Sequence, residues 1–370
     1  MTMVLCPFCL ERFDYEDRGP AAQRRPTEAA NGQAGQQEES RSVHCEQCGE
    51  PVPWLYLRSG LDCPSDVVVT VGRRGFGKTT MLTALLGTLI EAPNQLHHGL
   101  VVGTYTPDAG PRATSDYGPI AWVRGAYNQF MRHGALPAGT PLVGQPLPFY
   151  LRRLPPVGKR RYTQRNLFLF DAGGEAFDNV TSFANGARWA VYSRVLWMVA
   201  SLDEDGTRER DAAEQYGGIA GSLWDLLNVY IGVRERVLRE HPSWSSAPQA
   251  LLIIFTKADA HNGRMPVLDR YLRQEAYSTR EERTGLSQLL RQWMLENQRT
   301  QAALNSADEN FARVEFCAVS ATGARVASGQ SSLDLRPRPC RIFDPLLWTW
   351  ELTDELNRRG LGPFFRWGRR

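Results

Sequence analysis

Apolar residues fall along this chain in two rhythms. The first is a short block, seen unbroken at residues 167–170, 195–200 and 251–255, at 67–71 with one threonine inside it, and at 314–319 with one glutamate. A strand that is apolar at successive positions is buried on both faces, as in parallel sheets covered by helices. The second rhythm repeats every three to four residues. Met81, Leu82, Leu85, Leu86, Leu89 and Ile90 follow it, as do Ile219, Leu223, Leu226, Leu227, Tyr230 and Val233. Each set predicts one face of a helix. Helices are also predicted at 122–132, along one long stretch at 279–304, and at 345–358. Segments 148–154 and 166–170 predict a hairpin joined by a basic loop carrying Lys159, Arg160, Arg161 and Arg165. Blocks alternating with helical stretches predict an α/β fold with a mostly parallel sheet. Residues 91–147 fit this scheme poorly, being rich in Gly, Pro and Thr.

The polar junctions carry the chemistry. After the block at 67–71 comes Gly72-Arg73-Arg74-Gly75-Phe76-Gly77-Lys78-Thr79-Thr80, which contains G-x-x-x-x-G-K-[ST] between a predicted strand and a predicted helix. Glycines let successive backbone N–H groups curl toward one anion, and the helix N-terminus adds its positive end. Lys78 is placed to reach the β- and γ-phosphates of a nucleotide, and the Thr79 hydroxyl to hold Mg²⁺. The block at 167–170 ends in Asp171-Ala172-Gly173-Gly174. Here Asp171 is a candidate for holding Mg²⁺ through water, and Gly174 for giving its N–H to the γ-phosphate. A threonine that binds Mg²⁺ when the γ-phosphate is present is expected in the middle region. Thr104, Thr106, Thr114 and Thr140 are candidates, and Thr140 is preferred because it lies shortly before the next strand. Two further blocks end in Thr256-Lys257-Ala258-Asp259 and Ser320-Ala321-Thr322-Gly323. All four motifs thus sit at predicted strand ends, where open α/β sheets bind ligands.

The first 62 residues read differently. Cys6-x-x-Cys9 and Cys45-x-x-Cys48 have the spacing of two metal-binding knuckles, and four thiolates suit a tetrahedral Zn²⁺. The 35 residues between the pairs exceed a compact ribbon, but about 18–42 is rich in Gly, Pro, Gln, Glu and Ala, the composition of a disordered excursion. His44 and Cys63 are possible substitute ligands. The domain reading is a zinc ribbon at 1–62, a nucleotide domain at 63–358, and a basic-aromatic tail at 359–370. Of the chain's seven cysteines four pair off in this way, which argues against a secreted disulfide framework. A net charge of +3 over 370 residues does not require nucleic acid as a partner. No apolar run reaches the roughly 18–20 residues of a transmembrane segment, and Cys6 and Cys9 fall where a leader would need a greasy core. A cytoplasmic location is expected.

Taken together, GRRGFGKTT at 72–80, DAGG at 171–174, TKAD at 256–259 and SAT at 320–322 resemble a TRAFAC-class, Ras-like P-loop GTPase over residues 66–358. With the cysteine pairs and the long middle region, the bacterial double-GTPase type is similar. The resemblance implies a P-loop NTPase three-layer sandwich beside the small zinc-ribbon module. It implies GTP/GDP, Mg²⁺ and Zn²⁺ as cofactors and an effector protein, unnamed by the sequence, as partner. Asp259 would accept two hydrogen bonds from the guanine edge, the Lys257 stem would cover the base, and the Ala321 N–H, presented beside Ser320, would meet the guanine O6. Two positions depart from the pattern. Thr256 replaces the asparagine of NKxD, an amide that ties this loop to the phosphate loop, so weaker binding is expected. Glu175 stands where Ras-like enzymes place a water-orienting glutamine; a carboxylate can act as base but also repels the γ-phosphate, so slow turnover is expected. Arg74, with Arg73, is a candidate for stabilising transition-state charge from within the loop. A GTP-binding scaffold without turnover and a P-loop ATPase are the alternatives.

Overall fold

The computed structural model describes residues 2–9, 11–15, 43–52, 56–57, 63–91, 96–97, 100–105, 118–138, 147–153, 163–174, 188–202, 218–240, 249–261, 266–272, 278–296, 298–324, 331–333 and 336–359. Two hairpins open the chain. β1 (Thr2–Leu5) pairs antiparallel with β2 (Arg12–Tyr15), and β3 (Val43–His44) with β4 (Pro51–Val52). β5 (Ser65–Val71) then leads into α1 (Lys78–Glu91). β6 (Leu96–His97), β7 (Leu100–Thr104), α2 (Gly118–His133), β8 (Leu147–Arg153) and β9 (Thr163–Asp171) follow. The remainder alternates: β10 (Val195–Ser201), α3 (Gly218–Glu240), β11 (Ala250–Thr256), α4 (Pro266–Leu272), α5 (Arg280–Glu296), α6 (Gln298–Asn310), β12 (Arg313–Ala318) and α7 (Asp344–Arg358).

Eight strands form one mixed sheet in the order β12-β11-β10-β5-β9-β8-β7-β6. The five from β12 to β9 are parallel; β8, β7 and β6 each run antiparallel to the neighbour before them. β5, β10 and β11 are buried at all seven of their positions, so both faces of the parallel half are covered, as their apolar blocks predict. On one face α7 is anchored by Trp197 Nε1, which donates to Thr349 Oγ1 at 2.9 Å. The result is a mixed α/β sheet flanked by helices.

Two sequence expectations need correction. The region at 91–147 contains the strands β6 and β7 as well as the predicted helix. Gly103 weakens the strand signal of β7, yet it sits directly across the ladder from Tyr150, and a Cβ there would lie 2.1 Å from the Tyr150 ring. The glycine makes room for the aromatic. The single helix expected at 279–304 is two helices, α5 and α6. Leu286, Leu290 and Met294 face the core from α5, whereas Ala303, Leu304 and Ala307 do so from α6. The second set is out of phase with the first, because α5 packs on β12 while α6 packs on α3. The Thr300 hydroxyl donates to Met294 O at 2.6 Å, across the break.

Charge is buried at the N-terminal end of the parallel strands. Arg165 of β9 meets Asp66 of β5 at 3.2 Å, bonds to Asp354 of α7, and lies 5.0 Å over the Trp350 ring. Burial raises the Asp66 carboxyl above its ordinary value, against the opposing pull of Arg165. The N-terminal hairpins join the main core, with Val4, Leu5, Phe13, Val52 and Tyr56 contiguous with β5 and β9. No helix among the described residues is long and apolar enough to cross a membrane.

Candidate functional site

Because β5, β9, β10, β11 and β12 run the same way, their C-terminal ends share one edge of the sheet. The four motifs leave from that edge. Gly75 (φ 83°) and Gly77 (φ 75°) take left-handed backbone in the loop after β5, which an L side chain would strain. Lys78 opens α1 and is buried. Its Nζ donates to Gly72 O at 2.5 Å and Arg73 O at 3.1 Å, so the ammonium is held inside the loop. Thr79 and Thr80 are half-buried in the first turn of α1, and Phe76 is buried. Arg73 is drawn aside by Asp225 of α3, at 2.8 Å, while Arg74 is exposed. Asp225 is a neighbour that no local sequence pattern announces.

The other motifs are fastened to this loop and to one another. Gly174 sits against the loop backbone, where a Cβ would come 2.4 Å from Arg74 N and 2.8 Å from Arg74 Cα. The Thr256 hydroxyl bonds to Phe76 O and lies 3.0 Å from Ala200 O. The tie expected to be lost with the missing asparagine is therefore made by the hydroxyl, and weakened binding does not follow from Thr256. Thr256→Val keeps the shape and removes the donor. It should destabilise the protein by about 1–3 kcal/mol, the cost of a buried carbonyl left unmet, read as a lower denaturant midpoint at unchanged slope. Lys257 is one of two described non-glycine residues with positive φ (53°), and its chain direction brings Asp259 round to Ser320, whose hydroxyl donates to the Asp259 carboxylate. Gly323 N–H holds Ser320 Oγ at 2.8 Å, and a bridge to Cys340 pins Ser320 from the other side (2.7 and 3.2 Å). Ala321, beside it, is partly buried against the core. Thr104 is the last residue of β7; Glu175, Thr140, Thr106 and Thr114 lie outside the described residues.

A second centre lies in the two N-terminal hairpins. Each carries its cysteine pair at the turn, and each turn closes alike: Cys6 N–H donates to Glu11 O and Cys45 N–H to Glu50 O, both at 2.9 Å. The Sγ atoms of Cys6, Cys9, Cys45 and Cys48 all lie within 4.8 Å of one another, with Cys6–Cys48 and Cys9–Cys45 at 3.7 Å. Zinc–sulfur bonds of about 2.3 Å at tetrahedral angles put sulfurs about 3.8 Å apart, so the four fit Zn²⁺. Burial pushes the Cys9 thiol up to about 12 and raises Cys6 further. For Cys45, burial is outweighed by the N–H groups of Cys48 and Gln47, and its thiol falls below the ordinary value. Four thiolates this close would be stable only with a cation among them, and a bound Zn²⁺ would supply it. His44 turns to Gly49 O at 2.9 Å, and neither it nor Cys63 joins the group. The insertion at about 18–42, Lys159, Arg160 and Arg161 of the basic loop, and the tail from 360 lie outside the described residues, whereas Arg165, expected in that loop, lies within β9.

No family model matches the sequence, and no curated protein matches it. Among solved structures, the chain is similar to the crystal structure of the S. cerevisiae Ski7 GTPase-like domain bound to GTP, at 13% identity and a TM-score of 0.33. The match covers 81% of this chain and 52% of that one, about half its length. A likeness this distant leaves the chemistry of the site to its own geometry.

Proposed function

We propose that this chain is a guanine-nucleotide switch that hydrolyses GTP slowly with Mg²⁺ and signals to a protein partner. The observation carrying this reading is that four separate motifs meet on one sheet edge, fastened through Thr256 to Phe76, Gly174 to Arg74, and Ser320 to Asp259. In this reading Lys78 and the amides of Gly75, Phe76 and Gly77 hold the phosphates, with Gly72 closing the loop against β10. Thr79 in the first turn of α1 and Asp171 at the end of β9 offer a hydroxyl and a carboxylate oxygen. That donor set suits a hard cation that keeps most of its water. Mg²⁺ there would neutralise charge on the phosphoryl oxygens. Gly174 senses the γ-phosphate from its seat on the loop, Glu175 follows it in sequence as the residue to act on the attacking water, and Arg74 is the candidate for stabilising transition-state charge, Arg73 being paired with Asp225. Asp259 and Lys257 select the base, with the Ala321 amide.

The test combines binding and turnover. Lys78→Ala should weaken GDP binding by roughly 10²-fold or more, the loss of two charge-assisted contacts, read with a fluescent-labelled nucleotide at fixed Mg²⁺. Phosphate release should be slow in the natural protein and abolished in Glu175→Ala. If instead Glu175→Gln creates turnover where the natural protein has none, the chain is a GTP-binding scaffold. Nucleotide binding unaffected by Lys78→Ala would refute the site itself.

A further inference from the structure

At the end of the sheet opposite the phosphate loop, three arginines converge on one basin. Arg153 ends β8, Arg280 opens α5 and Arg358 closes α7, and with Asp354 and Asn357 they line a groove of about 500 Å³. Two carboxylates stand beside these arginines, Asp354 in the lining and Glu351 next to Arg280, and each is shared with an arginine beneath. Asp354 bonds to Arg165, whose side chain is 10% exposed, and Glu351 bonds to Arg283, which is 5% exposed. Asn357 Oδ1 receives Arg194 Nη2 at 3.4 Å. Among the described residues the rim arginines keep loose contacts. Arg153 Nη1 stands 4.0 Å from Asp354 Oδ2, and Arg280 Nε stands 3.6 Å from Glu351 Oε2; both exceed hydrogen-bonding distance. Arg358 Nε reaches a main-chain oxygen, Asp354 O, at 3.4 Å.

Three guanidiniums thus border one small space, and the two carboxylates beside them are each shared with a buried arginine. A guanidinium presents five donors in a rigid fork that matches phosphate oxygens two at a time, so several forks around one space favour a ligand with several such oxygens. The volume is that of a small-molecule site. We propose that this basin binds a small polyanion bearing phosphate groups, separately from the phosphate loop. The buried arginines beneath position Asp354, Asn357 and Glu351, and the rim arginines make the contacts with the ligand.

The probe is inorganic pyrophosphate, titrated calorimetrically into the full chain carrying Lys78→Ala so that the phosphate loop contributes little. Saturable binding at one site, weakening as salt rises, is the expected result. On that background Arg280→Ala and Arg358→Ala should each weaken binding about tenfold or more. Arg280→Lys, which keeps the charge and loses the fork, should fall between. Arg236→Ala, on the exposed face of α3, should change nothing. Thermal melting of each variant establishes that it is folded, and a melted Arg280→Ala leaves Arg280→Lys and Arg358→Ala to decide. Equal affinity in the folded arginine variants would overturn the proposal. So would pyrophosphate binding no tighter than sulfate, or binding of an acidic peptide with none of pyrophosphate.

Discussion

Asp259→Ala should erase the preference for guanine over adenine while leaving binding of the phosphates largely intact. In the proposed site the carboxylate accepts two hydrogen bonds from the guanine edge, each charge-assisted and worth about 1.5–3 kcal/mol. Their sum, about 3–6 kcal/mol, corresponds to a preference of roughly 10²–10⁴-fold. The carboxylate is not left to find this geometry by itself. Ser320 donates to it, Gly323 N–H holds Ser320, and Cys340 pins the Ser320 backbone. Ser320→Ala should therefore lose part of the preference, leaving Asp259 charged but less well oriented. Competition of GDP and ADP for the same labelled nucleotide measures both variants. An unchanged GDP-to-ADP ratio in Asp259→Ala would remove the guanine assignment, and the chain would be read as a P-loop ATPase.

The parallel half of the fold was legible because its signal is local and strong. Blocks such as 195–200 and 251–255 leave no polar position for a solvated face, and β10 and β11 are buried throughout. The loops that follow could be placed because each begins where an apolar block stops. What sequence reading missed depends on partners far away in the chain. Gly103 reads as a strand breaker until Tyr150 is set opposite it. The break between α5 and α6 is a change of packing partner, which helical periodicity alone does not locate without knowing that α6 turns to α3.

The candidate site divides the same way. The positions of Lys78 and Thr79 at the start of α1, and of Asp171, Asp259 and Ser320 at or just after strand ends, follow from motif and pattern. The fastenings between motifs do not, because they join residues 61 to 180 positions apart. Thr256 is the clearest case. Measured against a family pattern it is a missing amide; in the fold its shorter side chain reaches Phe76 O directly. A departure from a motif is a lost interaction only where no other atom takes over the bond. The arginine basin was invisible for a related reason: Arg153, Arg280 and Arg358 belong to three unrelated elements, and only the fold brings them together.

Removing a metal from the four cysteines should disturb more than the hairpins that hold it. Purified chain should carry about one zinc, and an excess of a strong chelator should release it. β3 and β4 are two residues each, far too short to persist alone. Isolated modules of this size gain about 10–16 kcal/mol from structural zinc. Without it, thiols packed at 3.7 Å lose the charge that binds them together. The disturbance should travel through Tyr56. Its hydroxyl donates to Leu5 O, one residue before Cys6, at 2.9 Å, and its buried ring meets Tyr105 and Phe168 edge-on at 5.4 and 5.6 Å. Tyr105 in turn closes on Asn166 of β9 at 2.5 Å, directly after β7. Opening of the hairpins should thus expose Tyr56, shift the tyrosine absorbance and lower the melting temperature of the whole chain. Cys45→Ser should do the same without chelator, and Tyr56→Phe should keep its zinc while losing part of the melting temperature. A chain that contains no zinc, or that melts identically before and after chelation, would show that the four thiols are not a structural metal site.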